Sequence, residues 1–390
     1  MKSIRFGIVG LGKQGLKYAK LINDNRDILY NSEIRAVCSR GLGKKDLVKS
    51  LFPNALYYTD YDEMLKSGEI DAVIITTPQN SHPYYAIKAF NHNIHVLTDK
   101  TAGITTKDVR EMNNEALKHP TLHFGIIFNQ RCNPLYLKAK EIIGSKGFGK
   151  VTHLNWIVTD WYRPDAYHKE NSWSQAWNGG GGVLMNQAPH NLDLISFMLN
   201  KNPSEVNAKI KMVGRNISVE NDVVAFMTYD DGMSAIFRTS CHDIPGTNRL
   251  EIDGEGGRIV IEDKTLTFTQ TDILEPEFNK ISTSPSERPK MSTVTFKCPD
   301  YYKNKRPTGE ALKEYIKNPP EHLGIIKNYV EVLLGKAQDL IAPGIDGINS
   351  LELANAIYLS SWEQRIVTLP LDDEAYSLAL NKKIENDYYQ

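Results

Sequence analysis

The first fifteen residues constrain this chain more than any other stretch. Ile4, Phe6, Ile8 and Val9 form an apolar run with strand character, and Gly10, Gly12 and Gly15 follow it with GxGxxG spacing. Leu16, Tyr18, Ala19, Leu21 and Ile22 then recur at helical spacing. In such a strand–turn–helix each glycine has its own task. The first permits a tight reversal, the second lets backbone approach a pyrophosphate, and the third lets helix and strand pack closely. The phosphates rest on unpaired amides at the helix N-terminus. Alone the motif is a weak signal; its place between a strand pattern and a helix pattern gives it weight. The candidate cofactor turn is therefore Gly10, Leu11, Gly12, Lys13, Gln14 and Gly15.

Glu33 to Cys38 reads as the second strand. An acid at its end would hydrogen-bond the ribose hydroxyls of NAD. This chain has Ser39 and Arg40 there, with Lys44 and Lys45 close behind. A hydroxyl and a guanidinium suit a phosphate, so the reading leans to NADP; NAD stays open, because Arg40 could instead stack on adenine. Ile70 to Thr76 is a nearly continuous apolar strand, as expected where both faces are buried. Ligands of an open α/β sheet bind beyond the carboxyl ends of its strands. That places Thr76, Thr77, Pro78, Asn80 and His82 on the cofactor, with Asp99 and Lys100 after the strand Ile94 to Leu97 and Asn129 after Leu122 to Phe128. Alternating strands and helices imply a doubly wound parallel sheet.

From about Lys150 the pattern changes. Val151 to Thr159 alternates like a half-buried strand. An aromatic stretch follows, with Trp161, Tyr162, Tyr167, Trp173 and Trp177, then the glycine run Gly179 to Gly182 and a helix carrying Asn186, His190 and Asp193. Strands follow at Val206 to Val213, Val223 to Tyr229, Met233 to Thr239, Arg249 to Asp253 and Arg258 to Glu262. Ile273 to Tyr302 reads as a polar, extended insertion, and helices fall at Ile325 to Leu334 and Ser350 to Ser361. The expectation is an α/β Rossmann domain over residues 1–130. An α+β domain follows over 131–390: an open, mostly antiparallel sheet with helices on one face. The helix near 350–361 is expected to pack back toward the first domain.

A length of 390 residues suits two domains. The net charge of −1 draws in neither nucleic acid nor an acidic membrane surface. No apolar run is long enough to span a bilayer. Cys38, Cys132, Cys241 and Cys298 lack metal-ligand spacing, which argues against a bound metal and for a reducing cytoplasm. A spare sheet face suggests a homo-oligomer, dimer or tetramer.

The N-terminal GxGxxG, a strand ending in an acid–lysine pair, and a glycine run followed by His-x-x-Asp-Leu resemble the Gfo/Idh/MocA oxidoreductases over essentially the whole chain. Pro245-Gly246-Thr247-Asn248-Arg249 and the segment Ser350 to Ser360 resemble stretches common in sugar-acting members. The resemblance implies metal-free, NAD(P)-dependent oxidation or reduction of sugars and cyclic polyols. Lys100 matches the lysine of the family's Glu-Lys-Pro motif, whose acid is here Asp99 and whose proline is Thr101. His190 matches the histidine of Asp-x-x-x-His, and the aspartate has become Asn186, an amide that cannot relay a proton.

Hydride transfer at a secondary alcohol needs a group that takes the hydroxyl proton. Lys100 and His190 are the catalytic candidates; a lysine serves once burial and nearby positive charge lower its pKa. Lys100, Tyr162, Arg163, Trp177, Asn186 and His190 form the candidate substrate set, with an aromatic ring as sugar platform. The bland reading of any one aromatic is core packing. Two alternatives stand beside a dehydrogenase. One is glycoside cleavage through transient sugar oxidation and elimination with tightly held cofactor; the other is a non-catalytic dinucleotide sensor.

Overall fold

The computed structural model describes residues 3–170, 176–299 and 306–388, so Trp173 and Tyr302 lie outside the described residues. The chain forms two compact units: Met1–Cys132 with Tyr301–Leu351, and Asn133–Asp300 with Glu352–Gln390. Residues 301–351 thus return to the first unit instead of continuing the second from a single boundary near 130.

The first unit holds a six-stranded sheet: β1 (Arg5–Val9), β2 (Glu33–Cys38), β3 (Leu56–Tyr58), β4 (Ala72–Ile75), β5 (His95–Thr98) and β6 (Phe124–Ile126). All its pairs are parallel, in the order β3-β2-β1-β4-β5-β6. β4 is buried at every position, as its unbroken Ala-Val-Ile-Ile requires. The strand order reverses direction between β1 and β4, which opens a crevice at their carboxyl ends.

The second unit holds a nine-stranded sheet: β7 (Val151–Val158), β8 (Glu205–Lys211), β9 (Asp222–Thr228), β10 (Ser234–Ser240), β11 (Asn248–Gly254), β12 (Gly257–Glu262), β13 (Thr265–Thr271), β14 (Met291–Lys297) and β15 (Val367–Thr368). Its order is β14-β13-β12-β11-β7-β10-β9-β8-β15, antiparallel except for β7 with β10. Leu154, Trp156 and Val158 of β7 point inward with Val223, Ala225 and Met227 of β9, all nearly inaccessible. The helix Pro134–Ile143 packs on this inner face, Tyr136 lying 5.7 Å from Trp156 between ring centroids.

One expectation is corrected. The stretch read as an extended insertion from Ile273 contains the helix Glu275–Ile281 and strand β14, which pairs with β13. β14 buries almost nothing on either face, so hydrophobicity does not mark it. From Glu352 the helix Gly347–Glu363 belongs to the second unit. There Ser360 and Ser361 hydroxyls accept the Ala208 and Ile210 amides of β8, 3.0 Å each, where β15 is too short to pair them. Among the described residues no helix is long and apolar enough to cross a membrane.

Candidate functional site

The glycine turn closes as its spacing predicts. Gly10 has φ of +91°, and a Cβ there would sit 2.9 Å from the Thr76–Thr77 backbone. A Cβ on Gly15 would lie 2.3 Å from the Gly10 carbonyl oxygen. A Cβ on Gly12 would meet nothing within 4 Å, so this position faces open space. Gly12 caps the helix Lys13–Asp24 without a side-chain bond, and no acid occupies its first turn. A helix start, open space and no repelling charge fit a dinucleotide pyrophosphate. The Lys44 ammonium holds the Leu11 carbonyl. Ser39 and Arg40 follow β2 directly, and Arg40 is exposed.

The loops after β4, β5 and β6 join this edge. Thr76 donates its hydroxyl to the Gly10 carbonyl. Thr77, Pro78 and Asn80 lead into the helix His82–Asn91. Asn129, 4% exposed, carries a buried Oδ1 with no hydrogen-bond partner among the described residues, an acceptor a bound ligand could use. At the end of β5 the Asp99 carboxylate accepts from the Tyr18 hydroxyl at 2.9 Å and from the Lys100 amide at 2.9 Å; Gln14 donates to the same Tyr18 oxygen. Burial pushes the Asp99 pKa up against the pull of Lys100 and His82. Burial also lowers the Lys100 pKa, and Asp99 opposes it.

Tyr18 and His322, neither a candidate from sequence, complete this cluster. The His322 ring lies 5.5 Å from that of Tyr18, and burial with the charges of Lys17 and Lys100 drops its pKa to about 3. It stays neutral. Tyr18 follows Gln14 by one helical turn, which is a findable signal. His322 arrives from the returning segment, more than two hundred residues later in the chain, and local pattern does not reveal it.

In the second unit the glycine run is folded around a residue the sequence reading passed over. Glu220, 2% exposed, accepts from the Gly182 amide at 3.0 Å, the Leu184 amide at 2.9 Å and the Tyr358 hydroxyl at 2.9 Å. Burial raises its pKa to about 7, against the pull of the hydrogen bonds it accepts. The Asn186 amide donates to the Gly181 carbonyl at 2.9 Å, a bond an aspartate could not make. His190 sits in the first turn of the helix Pro189–Leu199, half-buried, and Asp193 one turn later is buried. Trp177 is 6% exposed, its ring edge-to-face with Tyr358 and Trp362 at 5.2 and 5.1 Å. Tyr162 is 43% exposed beneath the Arg215 guanidinium. The Arg163 guanidinium lies 4.8 Å over the ring of Tyr167.

Comparison with known proteins agrees with this geometry. Residues 4–125 match the oxidoreductase family with an NAD-binding Rossmann fold, and residues 136–260 match the GFO/IDH/MocA C-terminal domain. The chain is similar to the putative oxidoreductase YteT of Bacillus subtilis, 30% identical over 41% of this chain and 38% of that protein. It is similar to myo-inositol 2-dehydrogenase of Thermotoga maritima, 26% identical over 69% of this chain and 78% of that protein. Its fold resembles the WlbA dehydrogenase of Chromobacterium violaceum, crystallised with NADH and UDP-GlcNAcA. That likeness has a TM-score of 0.75 and 25% identity, covering 95% of this chain and 97% of the other. The match to YteT spans well under half of that protein's length. With both the nucleotide turn and the second sheet accounted for, the chain belongs to the Gfo/Idh/MocA family of NAD-binding oxidoreductases.

Proposed function

We propose that the protein transfers a hydride between a nicotinamide dinucleotide and a secondary hydroxyl of a sugar, glycoside or cyclic polyol. The observation that carries this is Lys100, whose ammonium is disfavoured by burial at the carboxyl end of β5, on the sheet edge that bears the glycine turn. The dinucleotide, when bound, supplies the hydride acceptor or donor. Gly12 and the start of the following helix would receive its pyrophosphate, and Asn129 Oδ1 would accept from one of its N–H or O–H groups. Lys100 takes the hydroxyl proton in oxidation and returns it in reduction. His190 is a second group able to handle a proton or bind a hydroxyl. Arg40, at the end of β2, favours NADP over NAD.

The test is a titration of NAD and NADP into the purified protein, followed by a panel of sugars, glycosides and polyols read by absorbance of the reduced ring. Cofactor binding with turnover of at least one panel member is expected; binding of neither cofactor rejects the reading. Lys100→Ala should keep cofactor binding and lose about a hundredfold or more in turnover. Arg40→Ala should weaken NADP more than NAD.

A second reading draws on Asn186, whose amide is spent on the Gly181 carbonyl. In it the new ketone acidifies a neighbouring C–H, a glycosidic bond is eliminated, and the cofactor is restored. Cleaved glycoside without net change in cofactor oxidation state would select it. The outer face of the second sheet is assigned to a second copy of the chain; it exposes Val224, Phe226 and Ile236.

A further inference from the structure

We propose that His82 is a positioning residue that stays protonated: an imidazolium that clamps the loops after β4 and β5 together and leaves Lys100 free to be a neutral amine. His82 is 1% exposed. Its Nδ1 lies 2.7 Å from the Thr101 carbonyl oxygen and its Nε2 lies 2.8 Å from the Thr77 carbonyl oxygen. A carbonyl oxygen only accepts. A neutral imidazole has one N–H and one lone pair. The neutral ring would therefore aim a lone pair at a carbonyl oxygen less than 3 Å away, in a place closed to water. Two ring protons satisfy both contacts.

Burial works against the charge and pulls the imidazole below its ordinary pKa. The same burial makes a lone pair facing an oxygen expensive, since no solvent relieves it. The charge also has a counterion. Asp99 acts on His82 favourably and Lys100 unfavourably, both from the end of β5. The three groups must share out charge in one buried cluster. If His82 were neutral, the Asp99 carboxylate would hold the proton on Lys100. With the imidazolium as partner of Asp99, the cluster is balanced while the Lys100 amine is uncharged, the form that accepts a proton.

A second bond closes the same two loops. The Thr101 hydroxyl donates to Gln79 Oε1 at 2.5 Å, and both residues are buried. A proline at 101, as in the motif this chain resembles, would have no hydroxyl to give. Both fastenings hold Thr101, the residue directly after Lys100, so the loop is pinned next to the amine.

The proposal rests on Lys100 as proton acceptor, and its test is independent of any substrate. Isotope-labelled histidine in the wild-type protein, read by long-range proton–nitrogen NMR, reports each ring's protons, with His82 assigned through its contacts to Thr77 and Thr101. Two protonated nitrogens at neutral and mildly alkaline pH are expected; a bare ring nitrogen at neutral pH overturns the proposal. The pH dependence of Lys100 acetylation by acetic anhydride, read by mass spectrometry, then reports the amine. Its midpoint should rise by about one pH unit in His82→Gln, the effect of removing one nearby charge. An unchanged midpoint in a variant that still binds NADH overturns the tuning role. If the variant does not fold, the wild-type NMR result decides. An active Lys100→Ala enzyme would reject the proposed function while leaving the His82 measurements intact.

Discussion

Gly12 and Gly15 stand three residues apart and answer to different demands. Gly12 has φ of −77° and open space where a Cβ would go. Gly12→Ala should leave stability within about 0.5 kcal/mol of wild type. It should also weaken NADH binding by at least about tenfold, because the methyl fills the pyrophosphate's place. Gly15→Ala drives its methyl to 2.3 Å from the Gly10 oxygen and should cost roughly 1–3 kcal/mol in denaturant melts, ligand or none. Equal effects on both properties in the two variants would contradict this division. Glu220 carries a prediction of a different kind. Glu220→Gln puts an amide N–H against one of the backbone N–H donors that the carboxylate accepts, at a cost of about 1–3 kcal/mol. A variant as stable as wild type would show that those bonds are dispensable. The turn and the acid–lysine pair were legible because their spacing is local. Tyr18 shows only its one-turn spacing from Gln14, and the roles of His322 and Glu220 exist only once distant segments meet.

The strand elements were legible where they bury one or both faces. Glu33 to Cys38 matches β2 residue for residue, and β7, β9 and β10 shift by a residue or two at their ends. β14 was illegible for the opposite reason: an edge strand exposed on both faces carries no hydrophobic alternation. Edges also need their free amides met. Ser360→Ala should cost about 1–3 kcal/mol by leaving the buried Ala208 amide without an acceptor, and thermal melts will read it. At the opening of β5, His95 accepts the His123 amide on Nδ1, 2.9 Å away. Burial and the neighbouring His123 lower its pKa from 6.5 to about 4. The unfolded chain therefore takes up a proton that the folded state refuses. The stability this gives is present above 6.5 and is lost as pH falls toward 4. His95→Asn should flatten that part of the acid profile; an unchanged slope counts against it.

At the scale of the molecule, the return of residues 301–351 to the first unit was beyond sequence reading. An apolar helix face announces that it will be covered, not by what. Tyr329 shows the outcome, its hydroxyl donating to the His123 carbonyl from a fully buried ring. The second sheet leaves its own face uncovered. Phe226 and Ile236 are directly opposed across β9 and β10, 45% and 43% exposed, a contiguous apolar pair on an open surface. Light scattering should find more than one copy of the wild type, and Phe226→Glu with Ile236→Glu should return single chains. A wild type that already runs as single chains removes this assignment.

β7 has one more consequence. It is the first strand of its sheet to leave the ribosome, yet both of its neighbours, β10 and β11, come some eighty to one hundred residues later in the chain. Meanwhile the later strands can zip into two hairpin ladders on either side of a missing centre. Until it docks between them, this eight-residue ribbon offers two bare edges to the cell, and it is the segment a chaperone has most reason to hold.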